Sequence, residues 1–391
     1  MSKKTKVYVG MSGGVDSSLS AALLIEQGYD VTGVYMKNWT QDLPGVKCPW
    51  ADDLADAKRV AVQLGIDFKV FDFENEYKHK VVDYMIDEYK NGRTPNPDIM
   101  CNQEVKFKLF LDTAIADGAD MIATGHYARV EHSSHSDIVF SDTLDPKSEV
   151  APGPNSDLEG SSVSENDSRI GDKNIGILKT AVDSNKDQTY FLYRVTGEAL
   201  SKTIFPIGEF TKPDVRKMAT ERGLSTAAKK DSQGICFVGQ VGIRDFLSMY
   251  VNQKPGQIID HKSGKVLGNH DGAIFYTLGQ RHGMELGGGL PYYVVGKDIN
   301  KNEVYVTTDL NDNTLWKKTI NLGDVHWINQ QPNDGKYQIR VRHRAKLVDA
   351  LMEFNNNGVV LKLDNPERAI APGQSVVIYN GDICLGGGII V

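Results

Sequence analysis

The chain lacks any run of about 18 consecutive apolar residues, which a transmembrane helix would need. Its start, MSKKTKVYVG, also lacks the apolar region and the small-residue cleavage site of a signal peptide. Cysteine is scarce, with 4 in 391 residues, and no two cysteines form a C-x-x-C pair. This spacing argues against structural zinc and against a disulfide framework. We therefore predict a cytoplasmic protein that makes no membrane contact.

The net charge of −7 is unfavourable for binding a phosphate backbone, but the acidic residues are concentrated in one segment. Residues 132–175 carry a net charge of −6, are rich in Ser, Asp, Asn and Gly, and include one aromatic residue, Phe140. Because such a composition cannot bury enough apolar area to fold, we predict that 132–174 is a disordered surface insertion. The remainder is nearly neutral and has a basic stretch at 336–346. Charge therefore does not exclude RNA as a partner.

Short apolar runs alternate with amphipathic stretches over the first third of the chain. We predict strands at 6–10, 31–36, 68–71 and 121–124, and helices at 15–27, 53–64, 76–90 and 104–117. This alternation predicts an α/β fold, in which helices cover both faces of a mostly parallel sheet. Ligands bind such sheets outside the carboxyl ends of the strands.

The remaining sequence predicts two smaller domains. Residues 1–205 form the α/β domain, and 206–271 are predicted to be a small central mixed domain with helices around a loop at 229–239. From 272 to 391 the chain contains short β-branched runs, VYVTT, YQIRVR, VVLKL and SVVIY, separated by Gly, Asn and Asp. Such runs are typical of a small antiparallel β-barrel.

The sharpest local motif is SGGVDSS, which lies between the first predicted strand and the first predicted helix. Gly13 and Gly14 allow a tight turn close to phosphates, and the free amides at the helix start favour an anion. Asp16 would repel phosphate unless Mg²⁺ lay between them. No lysine follows as in the Walker loop, and the motif is not G-x-G-x-x-G. It is the signature of the PP-loop ATP pyrophosphatases, which cleave ATP between the α and β phosphates and adenylate a substrate oxygen.

Two of the four cysteines lie in surroundings that favour a reactive thiolate. Cys101 is predicted at or next to the start of a helix, where the free amides lower a thiol pKa, and Asp98 is close enough to serve as an acid or base. Cys236 follows two lysines, which also favour a thiolate. The alternative for each is a small buried apolar residue, which is the interpretation that we keep for Cys48 and Cys384.

An adenylating enzyme needs two thiols if the incoming atom is sulfur. Sulfur is carried as a persulfide, and its release requires a second thiol that takes up the resulting disulfide. Cys101 and Cys236 are 135 positions apart, so the fold would have to bring their Cα atoms within about 7 Å.

With these motifs the chain resembles the bacterial tRNA-specific 2-thiouridylase (MnmA) family over nearly its whole length outside the insertion. The segments that carry the resemblance are GMSGGVDSS, GVYMKNW, CPWADDLADAKRVA, GRTPNPDIMCN, ATGHYAR, KDQTYFL, FPIGEFTKPDVRKMA, KKDSQGICF, YTLGQRHG, YYVVGKD and APGQSVV. The resemblance implies adenylation of the C2 oxygen of the wobble uridine (U34) of tRNA, followed by thiolation.

The resemblance also implies a role for individual residues. Cys236 would carry a persulfide supplied by a cysteine desulfurase or a sulfur-relay protein, Cys101 would form a transient disulfide with it, and Asp98 would be the acid or base. ATP, with Mg²⁺, would be held by Gly10, Met11, Ser12, Gly13, Gly14, Val15, Asp16, Ser17, Met36 and Gly125. Asn96, Pro97 and Asp98 would meet the target base, and the tRNA would contact His126, Lys186, Asp187, Gln188, Arg340, Val341 and Gln374.

The residues themselves leave alternatives open for some of these roles. Met36 and Gly125 end predicted strands, which fits a ligand site, whereas His126 could equally be a structural histidine. Strand alternation would place Arg340, Arg342 and Arg344 on one face, which suits phosphate recognition or is simply a solvated charged face. The acidic insertion at 132–174, just before KDQTYFL, is where the chain departs from the family pattern.

Two other functions compete with the thiouridylase. A PP-loop ligase or synthetase of a small molecule would need ATP but no reactive thiols. An RNA-binding protein with an inactive loop would need neither. Substitution of Cys101 and Cys236 separates the first alternative from the thiouridylase, and a measurement of ATP binding separates the second.

Overall fold

The structure is a computed structural model that describes residues 3–42, 48–134, 174–230, 243–252, 254–284, 286–287, 289–356 and 358–391. Its strands are β1 (Lys6–Gly10), β2 (Asp30–Lys37), β3 (Asp67–Asp72), β4 (Met121–Thr124), β5 (Arg129–Ser134), β6 (Asn174–Lys179), β7 (Thr203–Ile204), β8 (Gly256–Asp260), β9 (Val266–His270), β10 (Tyr293–Asp298), β11 (Glu303–Thr307), β12 (Trp316–Trp327), β13 (Gly335–Arg340), β14 (Val348–Asn355), β15 (Gly358–Arg368), β16 (Ser375–Asn380) and β17 (Ile383–Ile390).

The helices are α1 (Val15–Glu26), α2 (Trp50–Leu64), α3 (Glu74–Tyr77), α4 (Tyr84–Lys90), α5 (Pro97–Met100), α6 (Phe110–Ala116), α7 (Thr189–Leu192), α8 (Gly197–Ser201), α9 (Lys212–Glu221) and α10 (Ile243–Ser248). Two π-helical segments, Lys78–Asp83 and Cys101–Leu109, join α3 to α4 and α5 to α6. Residues 97–116 therefore form one continuous helix, called the 97–116 helix below. The predicted start of this helix at 104 was wrong by about two turns.

A parallel five-stranded sheet forms the N-terminal part, in the order β3-β2-β1-β4-β7. The chain moves outward from β1 to β2 and β3, then crosses back to place β4 on the other side of β1. Such a reversal leaves a crevice at the carboxyl ends of the two central strands, where ligands bind. The predicted α/β fold is thus confirmed. The strands could be predicted because they are short apolar runs, as expected for strands buried on both faces. Val7, Tyr8 and Val9 of β1 are fully buried.

A separate four-stranded sheet follows, in the order β10-β11-β8-β9, with β11 and β8 parallel and the other pairs antiparallel. The predicted run VYVTT lies here in β11 and not in the C-terminal barrel, so its assignment to the barrel was wrong. The predicted domain limit at residue 272 falls between β9 and β10 of this sheet. The division of the chain at residues 205 and 271 stays a prediction.

The C-terminal part is a closed barrel of six antiparallel strands, β12-β15-β14-β13-β16-β17, which β12 closes by pairing with β17. Alternate residues of these strands, including Ile339, Met352, Leu361 and Ile378, fill its interior. This confirms the predicted barrel. The run YQIRVR does not stay extended, however, because β13 ends at Arg340 and the chain turns at Arg342–Arg344, where Arg344 has a φ of 62°. The predicted row of three arginines on one strand face was therefore wrong.

The hairpin of β5 and β6 extends the barrel sheet, since Lys179 of β6 pairs with Ile383 of β17. This hairpin belongs to the N-terminal part by sequence, so it ties the two parts together. His132–Ser134 and Asn174 lie in these strands, so both ends of the predicted insertion are strand residues. The disorder predicted for the rest of the insertion concerns residues 135–173, which lie outside the described residues.

Among the described residues, no helix is long and apolar enough to cross a membrane. Within the same part of the chain, no cluster of three or more His, Cys, Asp or Glu side chains could hold a metal ion.

Candidate functional site

The loop between β1 and α1 lies at the crevice of the parallel sheet. Gly14 is the residue before α1 and offers no side-chain cap, so the first amides of the helix are available to an anion. The hydroxyls of Ser17 and Ser18 donate to the Gly14 carbonyl at 3.2 and 2.8 Å, and the Ser12 amide donates to Ser17 Oγ at 3.2 Å. These bonds fold the loop back over the helix start.

Glycine is required at two positions around this loop. Gly13 has a φ of 72°, and a side chain there would collide with the carbonyl of Asp53 at the start of α2. A Cβ at Gly125 would lie 2.7 Å from the Ser17 amide, so the end of β4 packs directly on the first turn of α1. The predicted neighbours Gly125 and Ser17 are thus brought together. Met36 also lies beside the start of the loop, because its Cε would be 2.9 Å from a Cβ placed on Gly10, the last residue of β1.

Other predicted nucleotide residues differ in exposure. Met11 and Val15 are buried in the sheet and helix packing, so their backbones alone could meet a nucleotide. Ser12 is exposed and Gly14 and Asp16 are half-buried. The open side of the loop therefore consists of main-chain atoms, one serine hydroxyl and one carboxylate.

The carboxylate of Asp16 is bound by two residues to which the sequence analysis gave no role. Lys212, the first residue of α9, donates to both carboxylate oxygens of Asp16 at 2.7 and 2.9 Å. The Tyr127 hydroxyl donates to Asp16 Oδ1 at 2.9 Å. Because the ammonium of Lys212 bridges both of its oxygens, Asp16 already has a cation as its partner, and this arrangement disfavours a metal ion there.

Cys101 lies one turn inside the 97–116 helix and is 1% exposed. Asn96 caps that helix, since its side chain accepts from the Asp98 amide at 3.2 Å. The prediction that Cys101 is at or next to a helix start was therefore wrong, and the free amides of the first turn stabilise a thiolate there less than expected. A buried thiol also cannot meet a tRNA until the residues around it move.

Asp98 is half-buried beside the helix start, and burial raises the pKa of its carboxyl, which the charge of Lys106 partly offsets. A carboxyl whose pKa is raised binds a proton more tightly than an ordinary aspartate, which suits an acid or base. The loop before Asp98 is hydrogen-bonded both to the barrel part and to the part that contains the four-stranded sheet. The Thr94 amide donates to the Pro372 carbonyl at 3.0 Å, and the Thr94 and Thr277 hydroxyls are 3.2 Å apart.

Asn102 follows Cys101 and is another residue to which the sequence analysis gave no role. Its side-chain amide donates to the Phe191 carbonyl at 3.0 Å, which fixes the 97–116 helix to α7. Its Oδ1 is buried and has no hydrogen-bond partner among the described residues. A buried acceptor of this kind, next to Cys101 in the chain, is available to a donor on a ligand.

Cys236 lies outside the described residues, so its distance from Cys101 stays a prediction. Lys229, one of the two lysines before it, donates to Asp53 Oδ1 and Asp56 Oδ2 at 2.7 Å each. Burial by itself lowers the pKa of Lys229, but the two carboxylates of α2 together outweigh burial, so the pKa is raised and the positive charge is matched. Lys229 therefore contributes less to a thiolate at Cys236 than the sequence suggested.

His126 follows Gly125 and is buried with its ring between Phe107 and Phe205, at centroid distances of 5.6 and 6.0 Å. Its Nδ1 is 2.8 Å from Thr124 Oγ1. Burial, reinforced by Lys106, holds the pKa of the imidazole well below its usual value, so the ring is neutral. These contacts favour the structural interpretation of His126 over a tRNA contact.

Asp187 and Arg340 form a buried ion pair with each other, at 2.6 Å between Oδ2 and Nη1. Asp187 also accepts from the Ala181 amide at 3.1 Å and from the Thr189 hydroxyl at 2.8 Å, and the guanidinium lies over the Tyr379 ring. Both residues were predicted to contact tRNA. In the structure their side chains join the N-terminal part to the barrel, and a tRNA contact by either residue stays a prediction.

The remaining residues predicted to contact tRNA surround this pair. Gln188 exchanges hydrogen bonds with Tyr127, from Tyr127 N to Gln188 Oε1 at 2.8 Å and from Gln188 N to Tyr127 O at 2.9 Å. Lys186 and Gln374 are half-buried, while Val341 is 4% exposed. Lys186, Gln188 and Gln374 are therefore the members of this set with side chains that can face a ligand.

A groove of about 360 Å³ lies between α4, α10 and the loop at 275–283. Its lining includes Arg244, Thr277, Gln280 and His282. Because Thr277 contacts Thr94, this groove adjoins the loop that leads to Asn96 and Asp98.

The sequence analysis missed Lys212 and Tyr127, although both lie in segments that it quoted. A signal for Lys212 was present. A lysine in the first turn of a helix faces the positive end of the helix dipole, so it needs a partner elsewhere. Tyr127 carried no such signal, since a tyrosine after a strand is usually packing.

Three family models match the chain. The tRNA methyl transferase HUP domain matches residues 5–150 and 163–240, the tRNA methyl transferase PRC-barrel domain 244–308, and the aminomethyltransferase beta-barrel domain 317–390. Among solved structures, NMN synthetase from Francisella tularensis is 11% identical with a TM-score of 0.31, covering 64% of this chain and 84% of that one. A similarity that weak carries no conclusion.

Curated relatives match over almost the full length. A tRNA-specific 2-thiouridylase MnmA from Bacillus mycoides (strain KBAB4) is 44% identical over 390 residues, which is 98% of this chain and 94% of that protein. The protein of the same name from Bacillus anthracis is 43% identical over 388 residues, again 98% of this chain and 94% of that one. The chain belongs to the tRNA-specific 2-thiouridylase family.

Proposed function

We propose that this protein is an ATP-dependent sulfurtransferase that replaces the C2 oxygen of the wobble uridine of tRNA by sulfur. The curated relatives that match 98% of the chain are named for that activity. The observation that carries the proposal is the glycine loop at the crevice of the parallel sheet, where the first turn of α1 and Gly125 meet. A loop of exposed amides at a helix start is suited to the phosphates of a nucleotide.

In the first proposed step the C2 carbonyl oxygen of the uridine attacks the α-phosphorus of ATP. A bond from oxygen to phosphorus forms, pyrophosphate leaves, and C2 becomes bonded to a good leaving group, AMP. The amides of the loop at Gly13, Gly14 and Val15 would hold the phosphate oxygens whose charge develops in this step. Asn96, Pro97 and Asp98 would hold the base against that phosphate.

In the second proposed step the terminal sulfur of a persulfide on Cys236 attacks C2 and AMP leaves with the bonding electrons. The Cys101 thiolate then attacks the Cys236 sulfur, which breaks the S–S bond and leaves the sulfur on the uridine. The products are the 2-thiouridine and a disulfide between Cys101 and Cys236. A thiol reductant must restore both thiols before the next turnover. Asp98 would exchange the protons that these steps require.

The proposed partners follow from this chemistry. The substrate is tRNA in the cytoplasm, and a cysteine desulfurase or a sulfur-relay protein would load the persulfide onto Cys236. ATP is the co-substrate, and Mg²⁺ would enter on its phosphates. We propose Lys186, Gln188 and Gln374 as the side chains of this set that face the tRNA, since their half-buried positions leave part of each accessible.

The experiment is an assay of nucleosides from tRNA incubated with the purified protein, ATP and a cysteine desulfurase with cysteine. We expect 2-thiouridine by mass spectrometry with wild type and none with Cys101→Ser or Cys236→Ser, while both variants still bind ATP. Cys48→Ser is the matched control. Burial raises the pKa of the Cys48 thiol, and its sulfur donates to the Trp39 carbonyl at 3.6 Å, so the control should keep its activity. Full activity of both Ser variants would contradict the sulfur mechanism.

A further inference from the structure

Lys212 occupies a position that its own helix does not explain. It is the first residue of α9, and it is 8% exposed. The helix is already capped by a reciprocal pair of hydrogen bonds between Thr211 and Asp214, and the Lys212 amide donates to Asp183 Oδ2 at 2.9 Å. A positive side chain in the first turn is unfavourable for the helix dipole. Its function must therefore lie in what the ammonium contacts.

The ammonium contacts Asp16, the one acidic residue of the phosphate loop. It bridges both carboxylate oxygens at 2.7 and 2.9 Å, and the ammonium also lies over the ring of Tyr127, 5.7 Å from the centroid. The side chain of Lys212 is 10% exposed and that of Asp16 is 30% exposed. The pair is separated by 196 positions in sequence, so α9 is folded against the loop to bring the charges together.

An unpaired carboxylate beside bound phosphates would repel them. A metal ion between carboxylate and phosphate is one way to remove this repulsion, and an internal cation is another. Asp16 has three hydrogen bonds from protein donors, and one of these donors is itself a cation, the ammonium of Lys212, which bridges both carboxylate oxygens.

We propose that Lys212, and not a metal ion, neutralises Asp16 and thereby allows the loop to bind the phosphates of ATP. This inference rests on the proposed function in one respect, namely that the loop binds ATP. Lys212 is a positioning residue in this account. It fixes and neutralises Asp16 at the first turn of α1, and the amides and Ser12 of the loop then face the nucleotide without an opposing charge.

The test is a cycle of Lys212→Met, Asp16→Asn and the double variant, measured by equilibrium binding of α,β-methylene-ATP with and without Mg²⁺. Lys212→Met alone exposes the carboxylate, so we expect affinity to fall about tenfold in both conditions. Asp16→Asn alone should not weaken binding, because it leaves a cation beside the loop. The double variant should return to within about twofold of wild type, since neither charge remains.

A metal at Asp16 gives a different result. Asp16→Asn would then weaken binding only when Mg²⁺ is present, and the double variant would be no tighter than either single one. That outcome, or unchanged affinity in Lys212→Met, would overturn the proposal.

Lys217→Met is the matched control, because Lys217 lies on the same helix with its side chain 75% exposed and does not contact Asp16. It changes the net charge equally and should leave affinity unchanged. Lys212→Arg should keep most of the affinity, and thermal unfolding of each variant checks that it folds. In the thiolation assay Lys212→Met should raise KM for ATP but not for tRNA, a split that a general loss of structure would not produce.

The outcomes also separate this inference from the proposed function. If wild type does not bind the ATP analogue, the proposed function fails. If wild type binds it and thiolates tRNA while Lys212→Met binds equally well, this inference alone is wrong.

Discussion

Asp98 combines a proposed proton-exchange role with a cost to stability. Burial raises its pKa, so ionisation is disfavoured in the folded protein relative to the unfolded chain. The free energy of unfolding should therefore fall as pH rises from the ordinary carboxyl pKa of about 3.9 through the raised value. We expect Asp98→Asn to remove this fall and raise the melting temperature at neutral pH, while thiolation is lost. Melting curves across pH measure it, and a variant that is less stable at neutral pH would contradict it.

The burial of Cys101 predicts a reactivity that depends on substrate. At 1% exposure the thiol should react slowly with iodoacetamide in the protein alone, much more slowly than the half-buried Cys48. Addition of tRNA together with ATP should speed labelling of Cys101, because the base can reach it only after its surroundings move. Peptide mass spectrometry gives both rates. Fast labelling of Cys101 without tRNA would show that the thiol is accessible in the resting protein.

For individual residues, the sequence was a better guide to which residues are important than to the partners that those residues contact. Asp16 and Asp187 were both singled out, yet their partners, Lys212 and Arg340, lie 196 and 153 positions away. Residue spacing carries no information on such pairs, since they form only when distant elements pack. The same limit applies to His126, whose two aromatic neighbours come from the 97–116 helix and from a residue after β7.

The 97–116 helix places Asn96, Asp98 and Cys101 together, and its start can be tested separately from base contact. Asn96 accepts a hydrogen bond from the Asp98 amide, so Asn96→Ala should cost about 1 kcal/mol of stability. Asn96→Ser retains a capping oxygen and should keep that stability. If the Asn96 side chain also meets the base, as proposed, the serine variant should still raise KM for tRNA. Melting temperature and KM measured together decide whether the residue caps, contacts the base, or does both.

Elements with a strong apolar pattern were predicted nearly to the residue. β4 has the predicted bounds 121–124, and α1 begins at Val15 as predicted. The misplaced helix start at 104 has a physical reason. Two prolines, Pro95 and Pro97, precede the predicted start, but proline is favoured at the first position of a helix, where its missing amide donor costs nothing. VYVTT was misplaced because a β-branched run predicts a strand without indicating which sheet it joins.

At the scale of the whole molecule, the segment KDQTYFL and the β5–β6 hairpin both join the N-terminal part to the barrel. Tyr190 donates to the Ser375 carbonyl at 2.9 Å, and the Thr189 and Tyr379 hydroxyls are 3.1 Å apart. Together with the pair of Asp187 and Arg340, these bonds join the N-terminal part to the barrel. Neither connection could be predicted from the sequence, because each joins segments that were assigned to separate domains.

The buried ion pair gives a prediction for the whole molecule. Arg340→Met leaves Asp187 without its cation in the interface, so we expect a loss of about 3 kcal/mol of stability. Asp187→Asn together with Arg340→Met should recover much of it. Chemical denaturation measures both. If Arg340→Met instead kept full stability and raised only KM for tRNA, Arg340 would be the tRNA contact that the family resemblance implies.

The central claim is that Cys101 and Cys236 meet at an ATP-activated uridine. The most direct measurement is a single turnover of persulfide-loaded protein with tRNA and ATP but no reductant, quenched by alkylation in acid and analysed by peptide mass spectrometry. The account predicts one disulfide-linked pair of peptides, containing Cys101 and Cys236, for each 2-thiouridine formed, and none when ATP is omitted. Formation of 2-thiouridine with both cysteines recovered as alkylated thiols would contradict it.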